Sequence, residues 1–339
     1  MTQIPAERPL VGIYSGLDLV GDGLTKLTFL RAVRSAFPDH HVLYVTSGAT
    51  QLETGLRPLT EGLVDEFLSG TGVMTSAREL LLPLPPAFRR RFDVFIDTQS
   101  VVWRALWLRR LRCRLFLSGA AGYRLSARRP AGGGTRPVNL VRRLVVLAEL
   151  ASGRPATLDI GVPVPPEAAG KAARALPGGP AYVGLAPGAG NRAKCWPLDR
   201  FVETAKAAER QGGVPVFLLG PGEVEWVDTI AAAVPAARFP LQDRALWGET
   251  WDPVHTVALA RRLAVAVAND SGINQMLAAA DAPLVTLFGP TNAEKFRPMV
   301  RRGAVLAAQT FGEGEAMAAI PTPAVVAAML DVWRSEAAA

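Results

Sequence analysis

Four short segments of this 339-residue chain set glycines beside an acid or a lysine, a combination suited to holding phosphate and moving a proton. The first is Ser15-Gly16-Leu17-Asp18-Leu19-Val20-Gly21-Asp22-Gly23. Its glycines let backbone approach a ligand, and a carboxylate in the first turn of a following helix is favoured by the helix dipole. Asp22 also reads as a plain N-cap, and Asp18 is a second acid in the same loop. The loop is not a G-x-G-x-x-G, so a nicotinamide site is poorly supported. The second segment, APGAGNRAKCWP at 186–197, presents Gly188, Asn191 and Lys194 between an apolar run and a helix-opening proline. Turn N–H groups plus a lysine point charge suit a phosphate, although no G-K-[ST] of a Walker loop follows. The third, LGPGE at 219–223, ends on Glu223, either a capping acid or an acceptor for ribose hydroxyls. The fourth, ANDSG at 268–272, opens a helix with Asp270 and Ser271, both good N-caps in their own right.

Such loops work only at the ends of strands, and the surrounding pattern predicts strands there. Short apolar runs at Leu10–Tyr14, Val42–Val45 and Phe92–Ile96 alternate with helical segments at Leu24–Phe37 and Trp103–Arg112, the latter with Leu106, Trp107 and Leu111 as its apolar face. The alternation breaks at Ala127–Pro137, which holds two prolines and three consecutive glycines, and again at Arg154–Pro180, read as an interdomain segment. It then restarts: strands Tyr182–Ala186, Val214–Leu219, Leu263–Ala268 and Leu284–Phe288, and helices Leu198–Gln211, Glu223–Val234, Gly272–Ala280 and Pro321–Ala338. Strand–helix alternation of this kind gives parallel sheets covered by helices, with ligands at the carboxyl ends of the strands. Two α/β domains are expected, 1–165 and 166–320, and the segment 321–339 is expected to pack back toward the first.

With 49% apolar and 20% charged residues the chain can bury two cores. No apolar stretch reaches the roughly 18–20 residues that span a bilayer, no signal peptide is expected, and a cytoplasmic location follows as the default. Cys113 and Cys195 make no disulfide framework, and with His40, His41 and His255 they make no zinc site, so neither metal nor cofactor is expected. The net charge of +7 is uneven: Phe88–Arg143 holds fourteen arginines against Asp93 and Asp97, a local +12 that leaves −5 elsewhere. That favours a phosphorylated or carboxylated partner, or an anionic membrane surface, unless the arginines are only solvated helix faces. A nucleic-acid partner is not expected, because stacking aromatics are lacking there beyond Tyr123.

Taken in order, these segments resemble glycosyltransferase family 9, the ADP-heptose:lipopolysaccharide heptosyltransferases. The resemblance rests on GDGLTKLTFLRAVRSAFPDHHV at 21–42, FDVFIDTQS at 92–100, AAGYR at 120–124, PGAGNRAKCWP at 187–197, LGPGE at 219–223 and NDSGINQMLAAADAPLVTLFGPT at 269–291. It implies a GT-B fold, two Rossmann-like domains facing a central cleft, and an inverting, metal-independent transfer of a sugar from a nucleotide-diphosphate donor. ADP-heptose is the expected donor, and an anionic glycan or lipid-linked acceptor, such as a lipopolysaccharide core, the expected partner. A peripheral contact with the inner membrane surface is expected too. By position, Asp22 falls on the catalytic base, with Asp18 its alternative. Lys194 falls on the donor-phosphate lysine, Glu223 on the acid near the ribose, and Asp270, Ser271 and Gly272 on the turn meeting sugar and diphosphate; Gly188 and Asn191, of the Lys194 loop, and Gln275 are assigned to the donor as well. Gln99, Arg124, Arg128, Arg129 and Asp18 are assigned to the acceptor. The chain departs from the family in carrying Gln275 where a histidine is usual, and Lys26 and Thr28 where threonine and proline are usual. Alternative readings are a UDP-sugar 2-epimerase, which shares two Rossmann-like halves, and a catalytically degenerate glycosyltransferase-like binding protein.

Overall fold

The computed structural model describes residues 8–133, 136–312 and 314–335. It divides into two compact units, Met1–Asp159 and Ile160–Ala339. In the first, β1 (Leu10–Ser15), β2 (His41–Thr46), β3 (Glu66–Leu68), β4 (Arg91–Asp97) and β5 (Arg112–Ser118) form a parallel sheet in the order β3-β2-β1-β4-β5. β1 lies at its centre with helices on both faces, so Val11 to Ser15 are all buried and read as one apolar run rather than an alternating one. The helices Val20–Ala36 and Leu140–Ser152 pack on each other. The core is aromatic: Phe88 meets Trp107 and Phe92 meets Phe95, each pair edge to face.

In the second unit, β6 (Ala181–Ala186), β7 (Gly213–Phe217), β8 (Leu263–Asn269), β9 (Leu284–Phe288) and β10 (Gly303–Ala307) are again parallel, in the order β10-β9-β8-β6-β7. In both sheets the strand order reverses next to the unit's first strand, between β1 and β4 and between β6 and β8. The connections diverge at such a reversal and leave a crevice at the carboxyl ends, where open α/β sheets bind ligands. Topology alone therefore places the segments 15–23 and 97–100 at one crevice, and 186–197 and 269–272 at another.

Several expectations shift. The boundary falls at 159/160, six residues before the expected 165. The segment read as a linker contains the helix Pro166–Ala175, whose Ala168 and Ala172 are buried and which packs on the helix Pro253–Ala260. The closing helix is Thr322–Arg334, and its Val325, Met329 and Val332 belong to the second unit's core; residues 336–338 of the expected helix lie outside the described residues, as do 134 and 135 of the glycine-rich loop. The helix expected over Trp103–Arg112 is Val102–Leu108, with Trp107 buried and Leu106 turned out to solvent. Among the described residues no helix is long and apolar enough to cross a membrane.

Gly12 shows how tightly the first sheet is covered. A Cβ there would lie 2.4 Å from the Phe95 ring and 2.9 Å from Phe92. Gly12→Ala is expected to lower stability by about 1–3 kcal/mol through overpacking, read as a lower denaturation midpoint in urea with an unchanged slope.

Candidate active site

In the first unit a cavity of about 550 Å³ opens at the β1/β4 reversal, lined by Gly16, Leu17, Asp22, Lys26, Ser47, Gly48, Thr75, Gln99 and Arg104. The helix begins at Val20 with Leu19 as its N-cap, so Asp22 is not the cap but the third helical residue. Its carboxylate is exposed, accepts no hydrogen bond from a described residue, and faces the cavity as a free base would. Asp18 is the opposite case. Its side chain is buried, Oδ1 accepts from Ser15 Oγ (2.9 Å) and is paired with Lys26 Nζ, and Oδ2 accepts from Tyr44 (2.9 Å) and Thr50 (3.0 Å). Burial and the Asp18 charge push the Tyr44 phenol well above its ordinary value, so it stays protonated and donates. With four donors on its two oxygens, the Asp18 carboxylate is occupied within the protein. Of the two acids in the loop, the geometry leaves Asp22 available and makes Asp18 the anchor.

Gln99 reaches the same cavity because Asp97, buried at the end of β4, organises the turn that carries it. Asp97 Oδ1 accepts from the Gln99 N–H (2.9 Å) and Oδ2 from Ser118 (2.7 Å), while burial raises its carboxyl above the ordinary value. Arg104 stands beside Gln99; its Nε donates to Met74 O (3.2 Å), and both side chains lie against Gly16, where a Cβ would come within 3.2 Å of Gln99 Oε1 and 3.3 Å of Arg104 Nη1. Arg124, Arg128 and Arg129 do not line this cavity. Arg128 donates to Leu150 O (2.9 Å) and Ala151 O (3.2 Å) at the end of the helix Leu140–Ser152, and Arg129 to Arg124 O (3.5 Å). All three are exposed.

In the second unit the β6/β8 reversal gathers the remaining loops. Lys194 Nζ donates to Asp270 Oδ2 (2.8 Å), which also accepts from Thr291 Oγ1 (2.6 Å). Three segments far apart in the chain thus meet on one carboxylate. Glu223 Oε2 accepts from the Gly220 N–H (2.9 Å), so the capping reading holds for one oxygen, while Oε1 accepts from no described residue. A Cβ at Gly188 would sit 2.4 Å from the Glu223 carboxyl carbon, so a larger residue there would displace that carboxylate. Asn191 caps its own short turn, accepting from Ala193 N (3.0 Å). Ser271 stands at the N-cap position of Gly272–Ala279 but makes no capping bond, and among the described residues its buried hydroxyl has no partner and nothing lies within 4 Å of where a Gly272 Cβ would be. That helix start therefore presents unoccupied N–H groups. Gln275 follows one turn on, half-buried.

Four participants escape sequence reasoning. Asn269, fully buried, donates from Nδ2 to Pro187 O (2.7 Å) and accepts on Oδ1 from Trp196 N (3.1 Å), clamping both ends of the 187–196 loop. Thr291 was visible only as the end of the Gly-Pro-Thr turn. Lys26 stood out only as a departure from the family pattern, one helical turn from Asp22, and Arg104 carried no signal beyond its charge; the fold brings Arg104 to the Asp22 cavity.

Comparison with known proteins gives a consistent picture. The model of "Glycosyltransferase family 9 (heptosyltransferase)" matches residues 87–317. Lipopolysaccharide heptosyltransferase 2 of Salmonella typhimurium is 32% identical over 125 residues, 37% of this chain and 35% of that relative, so the alignment spans about a third of its length. Among solved structures, a family 9 glycosyl transferase from Veillonella parvula superposes with a TM-score of 0.68 at 18% identity, covering 97% of this chain and 98% of the other. An E. coli heptosyltransferase solved with ADP gives 0.65 at 17% identity, covering 95% and 99%. These likenesses show the two-domain GT-B fold.

Removing Asp18 strands Lys26, which is buried beside it. Asp18→Ala is expected to destabilise the protein by about 3–5 kcal/mol, and Asp18→Ala/Lys26→Met to recover much of that. Chemical denaturation of both variants checks it; equal losses would mean the ammonium finds another partner.

Proposed function

The chain belongs to glycosyltransferase family 9, and we propose that it transfers a heptose from ADP-heptose to an anionic glycan acceptor, with inversion and without a metal ion, on the cytoplasmic side of the membrane. The observation that carries the donor half is the Lys194–Asp270–Thr291 cluster beside the open start of the helix Gly272–Ala279. A cation and free N–H groups converging at a strand-order reversal form a diphosphate site. Support for the nucleotide comes from the E. coli relatives solved with ADP and with ADP-2-deoxy-2-fluoro heptose.

In this reading the second unit holds the donor. Glu223 Oε1 accepts from a ribose hydroxyl, Gly188 and Asn191 shape the loop around the nucleotide, and Ser271 and Gln275 donate to phosphate or sugar. Lys194 and the Gly272 N–H stabilise the negative charge that grows on the leaving ADP as the bond from the anomeric carbon to phosphate oxygen breaks. The first unit holds the acceptor. As the acceptor oxygen bonds to the anomeric carbon from the opposite face, its proton passes to the Asp22 carboxylate. Arg104 borders the same cavity and gives an acceptor carboxylate or phosphate its counter-charge, with Gln99 hydrogen-bonding a sugar hydroxyl, while the ammonium of Lys26 is held by Asp18. Arg124, Arg128 and Arg129 contribute at longer range, through a field screened over roughly 8 Å at physiological salt.

Two substitutions separate the halves. Asp22→Asn is expected to lower kcat by about 10²–10⁴-fold, the usual cost of losing a general base, with calorimetric affinity for ADP unchanged; full activity would sink the assignment of the base. Lys194→Ala is expected to weaken ADP binding by about 1.5–3 kcal/mol, a charge-assisted contact. An unchanged dissociation constant would remove the donor site from the second unit.

A further inference from the structure

The first unit leaves four large apolar side chains in water on two adjoining elements. Leu81 is 90% exposed and Leu82 56%, at the end of the 3-10 helix Ala77–Leu81, and Val102 and Leu106 stand one turn apart on the outer face of Val102–Leu108, which packs against that 3-10 helix. Arg110, just past the helix, ties the two together: Nη1 donates to Glu79 O (3.3 Å) and Leu80 O (3.1 Å), and Nη2 to Leu82 O. Arg109 and Arg110, directly after the helix, are both exposed, and Arg109 Nη1 donates to Leu125 O (3.4 Å). The acid within this stretch, Glu79, is turned away onto the backbone N–H groups of Met74, Thr75 and Ser76. The surface thus presents leucines with guanidiniums beside them and no free carboxylate from these elements.

We propose that this surface docks the protein onto an anionic lipid bilayer, with Leu81, Leu82 and Leu106 entering the headgroup–acyl boundary and Arg109 and Arg110 meeting lipid phosphates. Single exposed leucines are ordinary. Two consecutive ones, joined by an exposed Val/Leu pair and edged by arginines, match what interfacial segments use: apolar side chains for partition and basic ones for attraction to anionic lipid. The proposal rests on the acceptor reading above in one respect: a lipid-linked acceptor lies at the bilayer, and Arg104, which lines the Asp22 cavity, belongs to the same short helix as Leu106.

The test is flotation of the full-length protein with phosphatidylglycerol/phosphatidylcholine vesicles and with phosphatidylcholine alone. Binding is expected to the anionic vesicles and to fall with salt. Leu81→Ser/Leu82→Ser is expected to weaken it by roughly tenfold or more, the order expected for withdrawing leucine area from an apolar phase. Leu106→Ser, on the other element, should weaken it severalfold, so a local folding fault in one segment does not decide the matter; melting temperatures control for both. Failure of the unaltered protein to float, or floating of all variants alike, overturns the proposal. So does a fall in self-association in lipid-free sedimentation as the sole effect, which would make the patch a protein contact. Turnover of ADP-heptose in lipid-free solution should be untouched by the double substitution. Vesicle binding without any such turnover would overturn the enzymatic reading and leave the docking surface standing.

Discussion

Asp18 lies at the end of β1 with both carboxylate oxygens occupied, and what the first unit exposes depends on where that pins the chain. Its backbone pairs with Thr50, its side chain gathers Ser15, Tyr44, Thr50 and Lys26, and the helix then starts two residues later. With that start fixed, Asp22 and Lys26 are one turn apart and share a face, so both reach one cavity. The second unit is built the same way, by Asn269 instead of a carboxylate. Its amide satisfies one carbonyl and one N–H of the facing loop, and the residue after it, Asp270, is left to meet Lys194 and Thr291. In each unit a fully buried polar side chain, costly to leave unpaired, fixes a loop so that a neighbouring one can stay available.

This division explains what was legible in the sequence. Glycine-rich turns after apolar runs announce loops at strand ends, so Gly188, Lys194, Glu223, Asp270 and Gly272 stood out, and they do gather at the β6/β8 reversal. Asn269 did not, because an asparagine closing a strand looks like any strand terminus; only its partners, 73 and 82 residues away, reveal its role. The choice between Asp18 and Asp22 was closed to sequence for the same reason, since it turns on Tyr44 and Thr50. The alternative reading of Asp22 and Ser271 as plain caps fails in a shared way: each helix starts without a side-chain cap.

The missed strands have a different cause. β5, Arg-Cys-Arg-Leu-Phe-Leu-Ser, begins with exposed arginines at the sheet edge and turns apolar only in its second half, and β3 has three half-buried residues. Edge strands bury one side poorly, so their apolar signal is short. The helix Val102–Leu108 ends four residues before the expected Arg112, and one residue of its expected apolar face is turned out: Trp107 takes the core against Phe88, which leaves Leu106 outward. An apolar residue on the wrong side of a helix is invisible to pattern counting, because the pattern still contains enough apolar residues to fill the inner face.

The arginine surplus divides along similar lines. Arg34, Arg110, Arg128, Arg143, Arg200, Arg261, Arg262 and Arg302 each donate to backbone carbonyls, many of them at helix ends or in loops. A guanidinium has five donors in a fixed fork and can satisfy two carbonyls while keeping its charge in water, which a lysine does less well. Part of the +12 segment is therefore structural, and its charge is a by-product of closing loops that are poor in polar side chains. What remains for function is decided by position instead of by number. Arg104 stands in the Asp22 cavity and Arg109 beside exposed leucines, each with one bond to a backbone carbonyl, whereas Arg128, equally charged, is tied to two carbonyls at the end of a helix and away from that cavity.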